Sequence, residues 1–260
     1  MGTSKPNNGP TGISSPIPPW TNDNRDESGN DNNQNNQQKP QEDLKPWGDV
    51  KRSYSNFIRN PNKGSFRQFT GSYRKANGGN KTISKSAIGG RKAAGKLVHF
   101  LGVVSKSGFE EACEEFQLGN LEGVPPEEAI NRLCGLFEDI DGTDEGSAAK
   151  AAVVETINYL YENYSDNPDA INSMAVEQIS DYLNLYISNY IFERLSIEVS
   201  KALENDKFTK EQVITANDTL KDFITAEVNL NFSEKDFSSL NIKQQNEIVD
   251  EIFTLAYSMI

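Results

Sequence analysis

AVEQISDYLNLYISNYIFERLSIEVSKALE, residues 175–204, sets Ile179, Leu183, Ile187, Ile191, Leu195 and Val199 at successive fourth positions. Apolar residues four apart stack on one face of an α-helix, and no alternating strand pattern competes with them here. The spacing predicts one long helix from about Ala175 to Glu204.

Similar signals flank it. Pro125-Pro126-Glu127-Glu128 combines Pro with early acidic residues, which suits a helix start. Ala129, Ile130, Leu133, Leu136 and Phe137 follow at helical spacing. Thr143-Asp144-Glu145-Gly146 opens another helix, through Val153, Val154, Ile157 and Leu160 to the cluster Tyr159, Tyr161 and Tyr164, before Asn167-Pro168-Asp169 breaks the chain. Two more helices are expected at about Lys210–Val228 and Ile242–Ser258. The fold class that follows is all-α: an irregular helical bundle over residues 108–260.

Ahead of the bundle the composition changes twice. Residues 1–49 read as a disordered tail, because the stretch from Asn22 to Gln41 is mostly Asn, Gln, Asp and Gly and has too little apolar surface to offset the entropy of ordering. Two islands interrupt it: Ser15-Pro16-Ile17-Pro18-Pro19-Trp20 and Leu44-Lys45-Pro46-Trp47, which hold both tryptophans of the chain. A Pro-rich stretch ending in Trp favours an extended form and offers an anchor to a groove. Residues 50–107 read as a basic, Gly- and aromatic-rich arm, partly helical after Thr82. It carries thirteen Lys and Arg and no acidic residue, whereas residues 108–260 carry nine basic against thirty-one acidic. The overall charge of −12 hides this asymmetry. Such a division marks an interaction protein more than a self-contained enzyme.

No catalytic constellation is apparent. His99 is the only histidine and reads as a structural or basic-face residue. With Cys113 and Cys134 it lacks zinc-ligand spacing, and the two cysteines read as core thiols. The run Asp139-Ile140-Asp141-Gly142-Thr143-Asp144-Glu145 lacks the register of a calcium loop. Gly89-Gly90-Arg91-Lys92-Ala93-Ala94-Gly95-Lys96 has the length of a phosphate loop, but Leu97 stands where Ser or Thr is needed. No metal and no cofactor are expected. The absence of a secretory segment and of any apolar run near 20 residues points to a cytoplasmic protein without a membrane span. Basic residues interleaved with Tyr54, Phe57, Phe66, Phe69 and Tyr73 suit single-stranded nucleic acid. Contact with an acidic protein surface, which the bundle itself could provide, is favoured over that reading.

The start of the chain offers one more group. Removal of Met1 leaves Gly2 with an α-amine of pKa about 7.7–8.0, so roughly a tenth is nucleophilic at pH 7. Pro6 stands where myristoylation needs Ser or Thr. On chemistry alone Gly2 is simply the second residue of a tail.

Met1-Gly2-Thr3-Ser4, Gly9-Pro10 and Ser15 to Trp20, followed by Phe66-Arg67-Gln68-Phe69, Gly71-Ser72-Tyr73-Arg74 and Ser86 to Arg91, resemble the QatB family, accessory components of the four-gene Qat anti-phage system. The Asn/Gln-rich insert departs from the Pro-rich spacer expected there. The resemblance implies a non-enzymatic member of an assembly with a QueC-like protein (QatC), an ATPase (QatA) and a TatD-like nuclease (QatD). By analogy with amine delivery to an activated deazaguanine, it implies Gly2 as a modification site. Thr3, Ser4, Pro16, Ile17, Pro18, Pro19 and Trp20, with Phe66, Arg67 and Phe69, are then the expected partner contacts.

Overall fold

A computed structural model describes residues 45–260 except 122, 138, 165–167, 201–207, 230–236 and 238. Among the described residues ten α-helices follow in order: α1 Lys45–Arg59, α2 Lys63–Ala76, α3 Asn80–Ser86, α4 Ile88–Ser107, α5 Phe109–Glu115, α6 Pro126–Gly135, α7 Asp144–Tyr164, α8 Val176–Ser200, α9 Lys210–Asn229 and α10 Ile242–Met259. A 3-10 turn, Pro168–Ser173, precedes α8, and no strand occurs among the described residues.

The long helix lies at the centre. The apolar row Ile179 to Val199 on α8 is buried, and so are Tyr182, Tyr186 and Tyr190 beside it. Even Ser188 and Asn189 are covered. A helix enclosed on most sides is a core element rather than an amphipathic surface one, and α8 packs against α7, α9, α4 and α1.

The second interior helix, α4, works by the opposite means. Its Gly89, Gly90, Ala93, Ala94, Gly95 and Gly102 are all buried, so neighbouring helices approach its backbone closely. A Cβ at Gly90 would lie 2.5 Å from the ring of Tyr190, and one at Gly95 would collide with Asn246 of α10. Bulky rings on one helix thus fill space left by missing side chains on another, which is how interiors reach crystal-like density.

The stretch expected to be a partly helical arm is instead helical over α1 to α4 and enters the common hydrophobic core. In α1 the buried apolar residues are Val50, Tyr54, Phe57 and Ile58, and in α2 the buried residues are Phe66, Phe69, Thr70 and Tyr73. Both sets have the three-and-four spacing of a helix stripe. Asn62 joins the two helices with a capping box: its side chain accepts from the Gly64 and Ser65 amides while Ser65 accepts from its own. Tyr54 packs on Phe69 at 4.7 Å between ring centres, and Phe66 meets Phe223 of α9 at 5.1 Å. Trp47, expected in the tail and outside any core, lies in the first turn of α1 with its ring edge-on to Tyr73 at 6.3 Å. The high charge of this stretch sits on the outer face, and the buried stripe determines the packing.

Elsewhere the expected helices appear nearly as read. α9 and α10 end within one residue of expectation, and α7 begins at Asp144. Residues 201–204, expected at the end of the long helix, lie outside the described residues.

Candidate functional site: a buried polar spine and a basic groove

Below the basic surface runs a line of polar groups, buried at Arg194 and the tyrosines and half-buried at Glu145 and Glu198. Glu145, in the first turn of α7, accepts hydrogen bonds from the Gly89 and Gly90 amides at 2.9 and 2.8 Å and from the Tyr190 hydroxyl at 2.7 Å. Its carboxylate satisfies amides that the start of α4 leaves unpaired and favours the positive end of that helix dipole. These glycines open the stretch that mimics a phosphate loop, and two of its amides hold this carboxylate.

One turn further along α8, Arg194 is only 5% exposed. It donates to Glu198 at 2.9 Å, to Ser86 Oγ at 2.7 Å, and at 3.3 Å to the Ile83 carbonyl and the Tyr190 and Tyr257 hydroxyls. The second oxygen of Glu198 accepts from Tyr73 at 2.8 Å. Burial pulls the guanidinium down, but Tyr257, Tyr73, Tyr190 and Glu198 outweigh it and hold the group charged. Burial drives the phenols of Tyr73, Tyr186 and Tyr190 well above their ordinary range, and Glu198 or Glu145 pushes the same way. The spine ties α2, α3, α4, α7, α8 and α10 together.

On the outside, part of the basic surface meets the acidic half. Arg91 pairs with Asp250 at 3.0 Å, and Lys92 and Lys96 take the two oxygens of Asp139 at 2.7 and 2.6 Å. Those two lysines hold the Asp139 carboxyl below its usual range. His99 lies 3.3 Å from Glu115, and Lys63 lies 3.8 Å from Glu227. Arg91, Lys92, Gly95, Lys96 and His99 of α4 face Ile242, Asn246 and Asp250 of α10 across a groove of about 290 Å³. Arg67, Lys75, Lys81 and Lys85 are exposed and form no ion pair among the described residues.

Gly2, Thr3, Ser4, Pro16, Ile17, Pro18, Pro19 and Trp20 lie outside the described residues. Phe66 and Phe69, expected as partner contacts, are 1% and 0% exposed and belong to this chain's own core; Arg67 between them is exposed. Burial raises the thiol of Cys113 to about 11, with Glu110 adding to the effect, and raises that of Cys134. Both cysteines are free. Asp141 turns back on Thr143, and no group of His, Cys, Asp and Glu able to hold a metal occurs among the described residues. No described helix is long and apolar enough to cross a membrane.

The residue that sequence reasoning missed is Arg194. Tyr182, Tyr186, Tyr190, Arg194 and Glu198 form a second row at four-residue spacing beside the apolar one. That row, ending in an i,i+4 pair of opposite charge, was the available signal.

Residues 78–260, more than two thirds of the chain, match a family model for a class of proteins associated with anti-phage defence. The family is QatB, the Qat anti-phage system associated protein, and the chain belongs to it. It is therefore a component of the Qat system, working with partners in that system. No curated protein and no solved structure matches it significantly.

Proposed function

We propose that this chain is the adaptor of its Qat system and presents its N-terminal segment to a QueC-like partner, with Gly2 as the residue modified. In this reading Pro16, Pro18, Pro19 and Trp20 anchor the segment outside the partner's active site, and Thr3 and Ser4 follow Gly2 into it. The chemistry is attack of the Gly2 α-amine on an activated deazaguanine carboxyl, with ATP consumed by the partner in the activation. An amide bond forms, the activating group leaves, and the amine proton passes to solvent. The chain itself supplies a nucleophile and no catalytic group. The QatA ATPase and the TatD-like QatD nuclease are further partners the reading allows.

One observation favours this over nucleic-acid binding. Base stacking needs exposed rings, and all six aromatics of the basic stretch, Tyr54, Phe57, Phe66, Phe69, Tyr73 and Phe100, are buried. What remains outside is cationic and suited to protein carboxylates or phosphates alike.

Intact-mass measurement of the chain co-expressed with its system partners tests the reading. The expected result is a mass increase on the peptide that begins at Gly2, absent when residues 2–20 are deleted. An unmodified mature N-terminus under conditions where phage are resisted overturns it. Binding of DNA or RNA that falls steeply with added salt, together with defence that survives the deletion, supports the nucleic-acid reading instead.

A further inference from the structure

The α4–α10 groove is a second candidate for recognition, and it does not depend on the N-terminal segment. The two helices run antiparallel here, with Arg91 opposite Asp250 and Gly95 opposite Asn246. Missing side-chain bulk at Gly95 forms the floor. Along the exposed strip of α4, Ile88, Lys92, Lys96 and His99 recur at three- and four-residue spacing, with Arg91 beside them. Ile88 and Ile242, at opposite ends, are 67% and 56% exposed. Ile242 lines the groove at one end, Ile88 stands just beyond it at the other, and between them Arg91, Lys92 and Lys96 outnumber Asp250.

The lysines already display what they bind. Lys92 and Lys96 converge on one carboxylate, that of Asp139, from the segment between α6 and α7. The Asp139 side chain is about half exposed. Pairs of this kind at a surface are worth about 0–1 kcal/mol, so a second carboxylate arriving from outside exchanges with Asp139 at little cost. Lys96 also donates to the Leu136 carbonyl at 2.9 Å, which holds its ammonium in place during such an exchange. The Asn246 side chain makes no hydrogen bond among the described residues; its oxygen is turned onto Gly95, and its amide N–H offers a donor to an incoming backbone.

From these features we infer that the α4–α10 groove binds an acidic peptide segment of a partner protein, with Asp139 holding the carboxylate seat when the partner is absent. The strip from Ile88 to His99 is about 16 Å long, which matches about five residues of extended chain. An apolar residue at each end and carboxylates between them fit Ile88, the lysines and Ile242 in turn. Charge complementarity selects the acidic segment. A polyphosphate backbone would find cations here but no use for the two isoleucines.

The test uses the full chain and a fluorescein-labelled peptide of sequence LEEDL, with binding read by fluorescence anisotropy. Asp139→Asn vacates the seat and is expected to tighten binding several-fold, while Lys92→Glu with Lys96→Glu is expected to weaken it at least about tenfold. Helical circular dichroism checks the double variant; if its signal is lost, Lys92→Gln with Lys96→Gln serves in its place with the same expected direction. Unchanged or weaker binding by Asp139→Asn overturns the inference, since the pair would then be purely structural. No binding of LEEDL to either the parent chain or Asp139→Asn also overturns it. So does a single-stranded oligonucleotide of similar charge that binds more tightly than the peptide and loses affinity in the lysine variants. None of these outcomes bears on the mass of the Gly2 peptide, so this inference and the adaptor reading stand or fall separately.

Discussion

After Asp49, the helices α1 to α4 carry only basic charge, whereas α5 to α10 carry a large acidic excess. Their interiors do not follow that division. Phe57, Phe69 and Val98 from the first group and Leu160, Ile187 and Phe253 from the second are all at most 3% exposed and belong to one core. Apolar periodicity decides which segments fold together, while charge decides only which faces of them meet solvent or each other. An abrupt change in charge is therefore poor evidence for a domain boundary. Here it falls at the turn between α4 and α5, two helices that pack on one another.

If the opposite-charge regions are a single cooperative unit, three perturbations should expose it. Alkaline pH is the strongest. Tyr73 in the basic region and Tyr186 and Tyr190 in the acidic one are buried, and each phenol is held protonated well above its ordinary range; Tyr54 and Tyr182 are raised to about 12. The folded chain keeps these protons after the unfolded chain has begun to release them near pH 10. Stability is thus intact below about pH 10 and falls above it, by up to about 1.4 kcal/mol per pH unit for each such group. Tyrosinate absorbance and helical circular dichroism should change together near about pH 11. Tyrosines that ionise near pH 10 with the helices intact would contradict the burial described.

Truncating a ring in the basic region comes next. Phe69→Ala is expected to cost about 3–5 kcal/mol, measured by urea unfolding as a shift of one transition. A biphasic curve, in which the first phase alone moves, would mean that α1 and α2 unfold apart from the rest. The smallest effect is expected from Glu145→Ala. That change strands the Gly89 and Gly90 amides and the Tyr190 hydroxyl, at a cost of about 1–3 kcal/mol. Because Glu145 belongs to the acidic region and its donors straddle both, hydrogen exchange at the start of α4 should accelerate with it. No change there would remove Glu145 from its anchoring role.

Much of the helical architecture is legible in the sequence. The apolar four-residue row of α8, the Pro125-Pro126 start of α6 and the Thr143-Asp144-Glu145 start of α7 are local signals that tertiary packing reinforces. The stripes of α1 and α2 are equally local, but the eight Lys and Arg residues of these two helices obscure them. The polar spine is legible only in part, because the row Tyr182 to Glu198 aligns Arg194 with tyrosines but names nothing that Arg194 bonds outside α8. Its partners lie 108 residues away at Ser86 and 63 residues away at Tyr257, and no spacing rule reaches that far. The groove is hidden for the same reason: Asp139 and Lys96 are 43 positions apart.

The placement of Trp47 has a practical consequence. Its indole touches Tyr73, whose hydroxyl bonds Glu198, which in turn bonds Arg194, so a natural chromophore stands at the terminus of the spine. With Trp20→Phe, the chain's tryptophan fluorescence, excited selectively on the red side of tyrosine absorption, comes from this one indole. Its emission then becomes a label-free optical gauge of whether the first helix stays seated as partners are added.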